Sequence, residues 1–287
     1  MTFVAVSGSG SVTGGNAVTS ATGIATVGSW TVGSTGENTL TASTGTLAPV
    51  TFTANGFDPC ADSSTHVVGA TTNGELTTSD CRFSNGSFVD AYTTTLADAG
   101  TYVFNEVSTA FDTFLVLYGA SGDPVGVNDD ATFRTSDSRI KAILSAGNFV
   151  LSASSYYANA VGTYSVTSSV DGGQATNCEN IFVVPGITSP QSLQTTDCSG
   201  NGFYSDDYYV FLKAGQSITV SMSSAVIDSY LAVYASASGT FLAQNDDRDV
   251  TTKDAQLVFT PSVAGFYTIV ATSRGPGTTG AYTLITQ

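Results

Sequence analysis

Along residues 1–57 apolar and small polar side chains alternate with period two. The runs are Phe3-Val4-Ala5-Val6, Gly23-Ile24-Ala25-Thr26-Val27, Trp30-Thr31-Val32, Asn38-Thr39-Leu40-Thr41-Ala42 and Val50-Thr51-Phe52-Thr53-Ala54. β-Branched residues dominate them, Gly and Asn punctuate the breaks, and no helical period competes, so each run predicts a short strand. From residue 58 a longer pattern appears twice. An Asp precedes an apolar strand in Asp112-Thr113-Phe114-Leu115 and again in Asp228-Ser229-Tyr230-Leu231. A Gly-bearing turn follows, and Asn128-Asp129-Asp130 or Asn245-Asp246-Asp247 closes the unit. The leading Asp residues are 116 positions apart and the clusters 117, which fixes an internal repeat.

Other strands keep the same period. Asp90-Ala91-Tyr92 through Leu96 matches Asp206-Asp207-Tyr208 through Leu212. Gly162-Thr163-Tyr164 matches Gly280-Ala281-Tyr282 at the end of each copy. Short strands at this spacing with Gly, Asn and Asp turns predict an all-β chain of tandem, jelly-roll-like β-sandwich domains. The expected division is 1–57, 58–170 and 171–287, with the polar stretch 169–176 around Gly172-Gly173 as the joint between the repeats.

The later strands of residues 1–57 resemble the closing part of a bacterial immunoglobulin-like domain of the invasin/intimin type. A complete sandwich of that kind takes about 100 residues, so the segment is expected to be partial, with an open edge that invites another strand. The repeats resemble the pre-peptidase C-terminal domain, on Asp112-Thr113-Phe114-Leu115 with Asn128-Asp129-Asp130, on their second copies, and on the terminal Gly-x-Tyr strands. That resemblance implies a β-sandwich serving as a non-catalytic accessory module of a secreted enzyme or surface protein.

Charge narrows the functional classes. Acids outnumber bases 23 to 8 for a net charge of −15, so the basic footprint of a nucleic-acid binder is missing. Residues 1–57 carry one charged side chain, Glu37, which sets them apart from the repeats. No apolar run approaches the roughly 20 residues that span a bilayer, and no basic region followed by an apolar core opens the chain. Met1, leading directly into a strand, reads as the start of a fragment.

Two cysteines lie at equivalent places in each repeat, so the repeat symmetry selects the pairs Cys60–Cys81 and Cys178–Cys198. Each bridge closes a loop of about 20 residues and stabilises it by on the order of 3 kcal/mol. Such bridges imply an oxidising, extracellular or cell-surface setting. His66 is the single histidine; without a Gly-x-Ser-x-Gly elbow or a second His it is expected on a surface loop, and the chain is not expected to be an enzyme. Tyr156, Tyr157, Tyr204, Tyr208 and Tyr209 are candidates for stacking on sugar rings, against core packing as the plainer role.

The repeated acids leave two readings open. Asp112, Asn128, Asp129 and Asp130, and likewise Asp228, Asn245, Asp246 and Asp247, supply hard oxygen ligands that suit Ca²⁺. Equally, Asn and Asp bond their own backbone in turns, with Arg134, Arg139 or Arg248 offsetting the charge. The expected role is spacing, anchoring or adhesion to a polysaccharide or protein surface, beside upstream domains of the parent protein. The competing expectation is a filament subunit whose open N-terminal half-sandwich accepts a strand from a neighbouring subunit.

Overall fold

A computed structural model describes residues 1–6, 8–31, 36–56, 64–132, 134–172 and 180–287. The chain forms two compact units, Met1–Ala61 and Asp62–Gln287. Among the described residues there is no helix.

The first unit contains β1 (Thr2–Ala5), β2 (Ser11–Thr13), β3 (Ser29–Thr31), β4 (Gly36–Ser43) and β5 (Val50–Gly56). β1, β4 and β5 form an antiparallel sheet, and β2 pairs with β3 as a separate ribbon. Phe3, Leu40 and Ala42 make a small core, with Trp30 and Val12 packed against it. The expected strand at Gly23–Val27 is instead irregular. Gly23 adopts a positive φ of 82°, and a turn bond from the Ser20 N–H to the Ile24 carbonyl takes the backbone out of any ladder.

The second unit begins with the first repeat: β6 (Thr71–Leu76), β7 (Cys81–Arg82), β8 (Phe88–Leu96), β9 (Gly100–Val107), β10 (Thr113–Tyr118), β11 (Pro124–Asn128), β12 (Ser138–Leu144), β13 (Gly147–Ser155) and β14 (Gly162–Asp171). The second repeat adds β15 (Ile181–Val183), β16 (Thr188–Leu193), β17 (Cys198–Gly200), β18 (Phe203–Leu212), β19 (Ile218–Ser223), β20 (Ser229–Ala235), β21 (Thr240–Asn245), β22 (Ala255–Phe259), β23 (Gly265–Ser273) and β24 (Gly280–Thr286). In the first repeat, β11-β10-β13-β8-β7 forms one layer and β12-β9-β14-β6 the other. The second repeats this with β21-β20-β23-β18 against β22-β19-β24-β16. Each sandwich encloses its own core, one around Phe104, Leu115, Ile140 and Leu151, the other around Tyr208, Val220, Leu231 and Leu284. Burying each such side chain contributes roughly 1.5–3 kcal/mol.

The two sandwiches are joined through a shared sheet. β15 inserts between β12 of the first repeat and β18 of the second, parallel to both. One continuous sheet therefore runs from β21 to β6. Strand alternation sends Ile181 and Val183 into the second core and Phe182 into the first. Phe182 lies over Gly126, where a Cβ would sit 2.8 Å from Ile140 and 3.1 Å from the Phe182 ring. Tyr209 and Phe266 pack on its other faces, with ring centroids 5.7 and 5.6 Å away. Part of the stretch expected as a joint, Ser169–Asp171, pairs with β9 as strand; residues 173–179 lie outside the described residues.

The repeated Gly-x-Tyr motif has a steric cause. Gly162 and Gly280 open β14 and β24 at φ of 141° and 150°, and a Cβ on either would press into Ala110 or Val226.

Candidate functional site

The acid turn is built alike in both repeats. β10 and β11 form a hairpin, and Asn128 stands at its end. Its Oδ1 accepts the Arg139 N–H at 2.7 Å, and its Nδ2 donates to the Asp130 carbonyl at 3.1 Å. Asn245 does the same with the Gln256 N–H at 2.9 Å and the Asp247 carbonyl at 3.1 Å. Both ends of each amide thus pin the turn to the start of the next strand. Asp129 adds a bond from the Asp130 N–H, at 3.0 Å.

Around this common turn the charges differ. In the second repeat Lys253 Nζ lies 3.0 Å from Asp228, and Arg274 Nε 3.0 Å from Asp246. The matching positions in the first repeat follow from the backbone. The Ser229 N–H bonds the Lys253 carbonyl as the Thr113 N–H bonds that of Ser136, and the Arg274 N–H bonds Asp228 as the Tyr156 N–H bonds Asp112. Ser136 and Tyr156 therefore replace the two cations. Asp112 keeps a buried Oδ1 without a hydrogen-bond partner. Burial, then the charges of Asp130 and Asp129, push its carboxyl above the usual range. Arg248, expected to offset the cluster, pairs with Asp249 at 3.4 Å. Among the described residues no three Asp, Glu, His or Cys side chains converge as a metal cage. In the second repeat, cations thus stand beside Asp228 and Asp246.

A surface cleft of about 400 Å³ opens beside this second cluster, lined by Val226, Asp228, Lys253, Arg274 and Thr278 among others.

The interior holds polar groups that sequence reasoning missed. The Asp-x-Tyr and Gly-x-Tyr strands meet across each sandwich. The Tyr92 and Tyr164 hydroxyls lie 2.5 Å apart, and Tyr164 donates to Asp90 at 2.5 Å. Tyr208, Tyr282 and Asp206 repeat the arrangement at 2.6 and 2.5 Å. The recurrence of both motifs at the repeat period was the available signal. Asp206 is pushed up to about 7, first by burial and then by Asp197 and Asp207. Glu106 on β9 is fully buried. One of its oxygens accepts the Ser154 N–H at 3.4 Å and the other has no partner. Burial, reinforced by Asp90 and Asp137, holds its carboxyl well above the ordinary value. The register places Met222 at the same point of the second repeat.

His66 is a correction to the sequence reading. It is buried, not on a surface loop, because its segment pairs in parallel with Thr93 as β15 pairs with β18. Its ring nitrogens meet Thr72 Oγ1 at 2.8 Å and Ser168 Oγ at 2.7 Å, and burial lowers its pKa. The partner of the second nitrogen is a hydroxyl where a nucleophile–base pair would have an orienting carboxylate.

Cys81 on β7 and Cys198 on β17 are each disulfide-bonded, and no described cysteine is free. Cys60 and Cys178 lie outside the described residues. Asp80 and Asp197, one residue before each cysteine, accept the N–H groups of Thr77 and Gln194 and close the turns that lead into β7 and β17. Of the five candidate tyrosines, Tyr156 and Tyr157 are exposed, edge to face at 5.0 Å. Tyr208 is buried and Tyr209 packs on Phe182.

No family model and no curated protein matches the chain. Among solved structures it is similar to the pre-peptidase C-terminal domain of collagenase from Bacillus anthracis, at 16% identity and a TM-score of 0.32, covering 39% of this chain and 99% of that one. The CUB1-EGF-CUB2 domain of human MASP-1/3 matches at 7% identity and a TM-score of 0.21, covering 76% and 99%. The M60 catalytic domain with the CBM51-1 and CBM51-2 domains from Clostridium perfringens ZmpB matches at 10% identity and a TM-score of 0.20, covering 88% and 41%.

Proposed function

We propose that this chain is a non-catalytic accessory region of a secreted or cell-surface bacterial protein, acting as a spacer and surface-binding module. The observation that carries this reading is the fusion of two like sandwiches through β15 into one compact unit. A body of this kind sets a fixed separation between what lies on either side of it. The conspicuous polar residues are committed to that body: Asn128 and Asn245 to turns, the Tyr–Tyr–Asp networks and His66 to the interior. The repeated Asp-led strands and Asn-Asp-Asp turns support a pre-peptidase C-terminal type of module. Exposed Tyr156 and Tyr157 are the contact residues for a polysaccharide. Co-sedimentation with insoluble polysaccharides is expected to retain the protein and to lose the Tyr156→Ala/Tyr157→Ala variant; equal behaviour of the two removes the tyrosines from the role.

The disulfide pairs of this reading are Cys60–Cys81 and Cys178–Cys198. Cys198→Ser is expected to free Cys178 to a thiol reagent; a reactive Cys60 or Cys81 would refute the pairing. Calcium belongs, in this reading, to the first repeat alone, where Asp112 has a buried oxygen without a hydrogen-bond partner and Ser136 and Tyr156 stand at the places of Lys253 and Arg274. Calorimetry is expected to show a higher Tm in Ca²⁺ than in EDTA, and no difference in Asp112→Asn.

The second reading, a filament subunit, is favoured by the edge strand β5, where Val50 and Phe52 are 58% and 47% exposed. Strand addition there is expected to raise the mass by light scattering, and Phe52→Lys to abolish the rise.

A further inference from the structure

The junction between the repeats joins β12 to β15, and its two halves recur at exposed positions elsewhere in the second unit. Inside, β12 pairs with β15 through Lys141, Ala142 and Ile143 against Ile181, Phe182 and Val183. The Asn–strand hydrogen bonds make Arg139 and Gln256 equivalent. Val258 and Phe259 of β22, with Thr260 just after it, therefore stand where Lys141, Ala142 and Ile143 stand. Lys141 is 5% exposed under β15, whereas Val258 is 65% exposed. β22 closes its sheet, with no further strand on its outer side among the described residues.

The other half is the segment Ser64–Val67. Thr65 bridges Thr93 in parallel as Phe182 bridges Tyr209, and Thr93 and Tyr209 each lie three residues before the Leu that ends β8 or β18. Thr65 thus corresponds to Phe182, and Val67 to Val184. Thr65 and Val67 are exposed, whereas Phe182 is buried and Val184 half-buried. The fit at the contact is preserved by paired changes. Phe182 needs Gly126 beneath it; at the outer edge Ala243 replaces Gly126, since each lies two residues before the turn Asn, and the incoming residue is the smaller Thr65.

We infer that β22 is a docking edge for a second copy of this chain, whose Ser64–His66 pairs in parallel with Val258–Thr260 and so joins the four-stranded sheet of one copy to the five-stranded sheet of the next. The contact is heterologous, so it propagates head to tail. It uses a different edge from β5, and stands or falls separately. One support of the internal junction is missing from it. The ion pair Lys213–Asp123 at 2.8 Å, which crosses from the second repeat to the first, has Ala97 at the place of its lysine. The association is therefore weaker than the internal junction and reversible, and because each copy carries −15 salt strengthens it by screening.

Sedimentation equilibrium across a wide concentration range, at low and high salt, tests this. The mean mass is expected to rise reversibly with concentration, more so in high salt. Val258→Glu places an acid on an exposed edge position that a partner of net charge −15 must approach and is expected to leave the Tm unchanged while holding the protein monomeric. Thr65→Phe with Ala243→Gly recreates the Phe182–Gly126 contact and is expected to tighten association by about tenfold or more. A monomer at every concentration in both the parent and this double variant overturns the inference. So does association that survives Val258→Glu and disappears in Phe52→Lys, which would assign it to β5.

Discussion

At one backbone position the first repeat carries Thr65 and the second Phe182; at another, Glu106 and Met222; at a third, Ser136 and Lys253. The shared features are those that build a sandwich: the Asn turn, the tyrosine pair donating to an Asp, and the strand-opening Gly of Gly-x-Tyr. The divergent ones lie where a repeat meets its neighbour or carries charge. The second repeat uses an apolar seal and paired cations at places where the first leaves an exposed Thr, a buried acid and a carboxyl with one oxygen lacking a hydrogen-bond partner. Duplication thus preserved the scaffold and let the junction and the electrostatics separate.

The largest effect is expected at the junction. Phe182→Ala removes a ring enclosed by Gly126, Tyr209 and Phe266, at a cost of roughly 3–5 kcal/mol. Because Phe182 alone sends its side chain from β15 into the first core, its loss is expected to split one thermal transition into two. Thr65→Ala, at the matching exposed position, is expected to change stability by about 0.5 kcal/mol or less. Calorimetry of both variants checks the contrast, and a single unsplit transition in Phe182→Ala would show that backbone pairing alone couples the repeats.

The acid response comes next. An unfolded Asp loses its proton near pH 4, whereas native Asp206 holds it until about 7. Between those values the native state binds more protons, so the contribution of Asp206 is complete below the unfolded pKa and is lost as pH rises through the folded one. A shift of this size corresponds to on the order of 4 kcal/mol. Glu106 acts in the same direction. His66 acts oppositely: burial lowers its pKa, so stability falls as pH drops below about 6.5. Urea unfolding between about pH 4.5 and 7.5 is expected to show stability declining with pH, and Asp206→Asn to flatten that decline.

These buried groups mark the limit of what the chain's pattern reveals. Period-two alternation exposes the strands, and recurrence of Asp112 and Asn128 at Asp228 and Asn245 exposes the duplication, because both are local and repeated. Ile181-Phe182-Val183 is too short to announce that it will bridge two sheets; its partners lie on strands 40 residues before it and 27 after it. Glu106 sits in the alternating run of β9 at an inward position, where only the burial of its neighbours shows that it is enclosed. His66 misleads because its segment, Ser64-Thr65-His66, is polar and is held by one bridge and hydroxyl partners. The acid clusters were legible as turns and opaque as charges, since Lys253 and Arg274 reach them from distant strands and loops.

Glu106→Met gives the first repeat the residue of the second. At neutral pH it removes a carboxyl with an unpartnered oxygen from a fully buried position, where an unsatisfied polar group costs about 1–3 kcal/mol. Ser154 loses one weak acceptor, its 3.4 Å bond. The variant is expected to be more stable than the parent in urea at about pH 7 by roughly 1–3 kcal/mol, with a smaller gain at pH 4. Destabilisation instead would mean that Glu106 has a partner beyond Ser154 whose loss outweighs the burial term.

The smallest effect is the most direct comparison of the acid turns. Ser136→Lys puts into the first repeat the cation that Lys253 supplies in the second, on a backbone whose hydrogen bonds already match. Exposed pairs of this kind contribute about 0–1 kcal/mol, so stability in low salt is expected to rise by no more than that. The sharper readout is electrostatic. An ammonium beside Asp112 opposes the repulsion from Asp129 and Asp130 that raises its pKa, so the carboxyl signal in NMR is expected to titrate at lower pH in the variant. If Ca²⁺ raises the Tm of the parent protein, Ser136→Lys should abolish that rise, because the new cation competes for the same oxygen. A calcium response that persists in Ser136→Lys would place the ion away from Asp112.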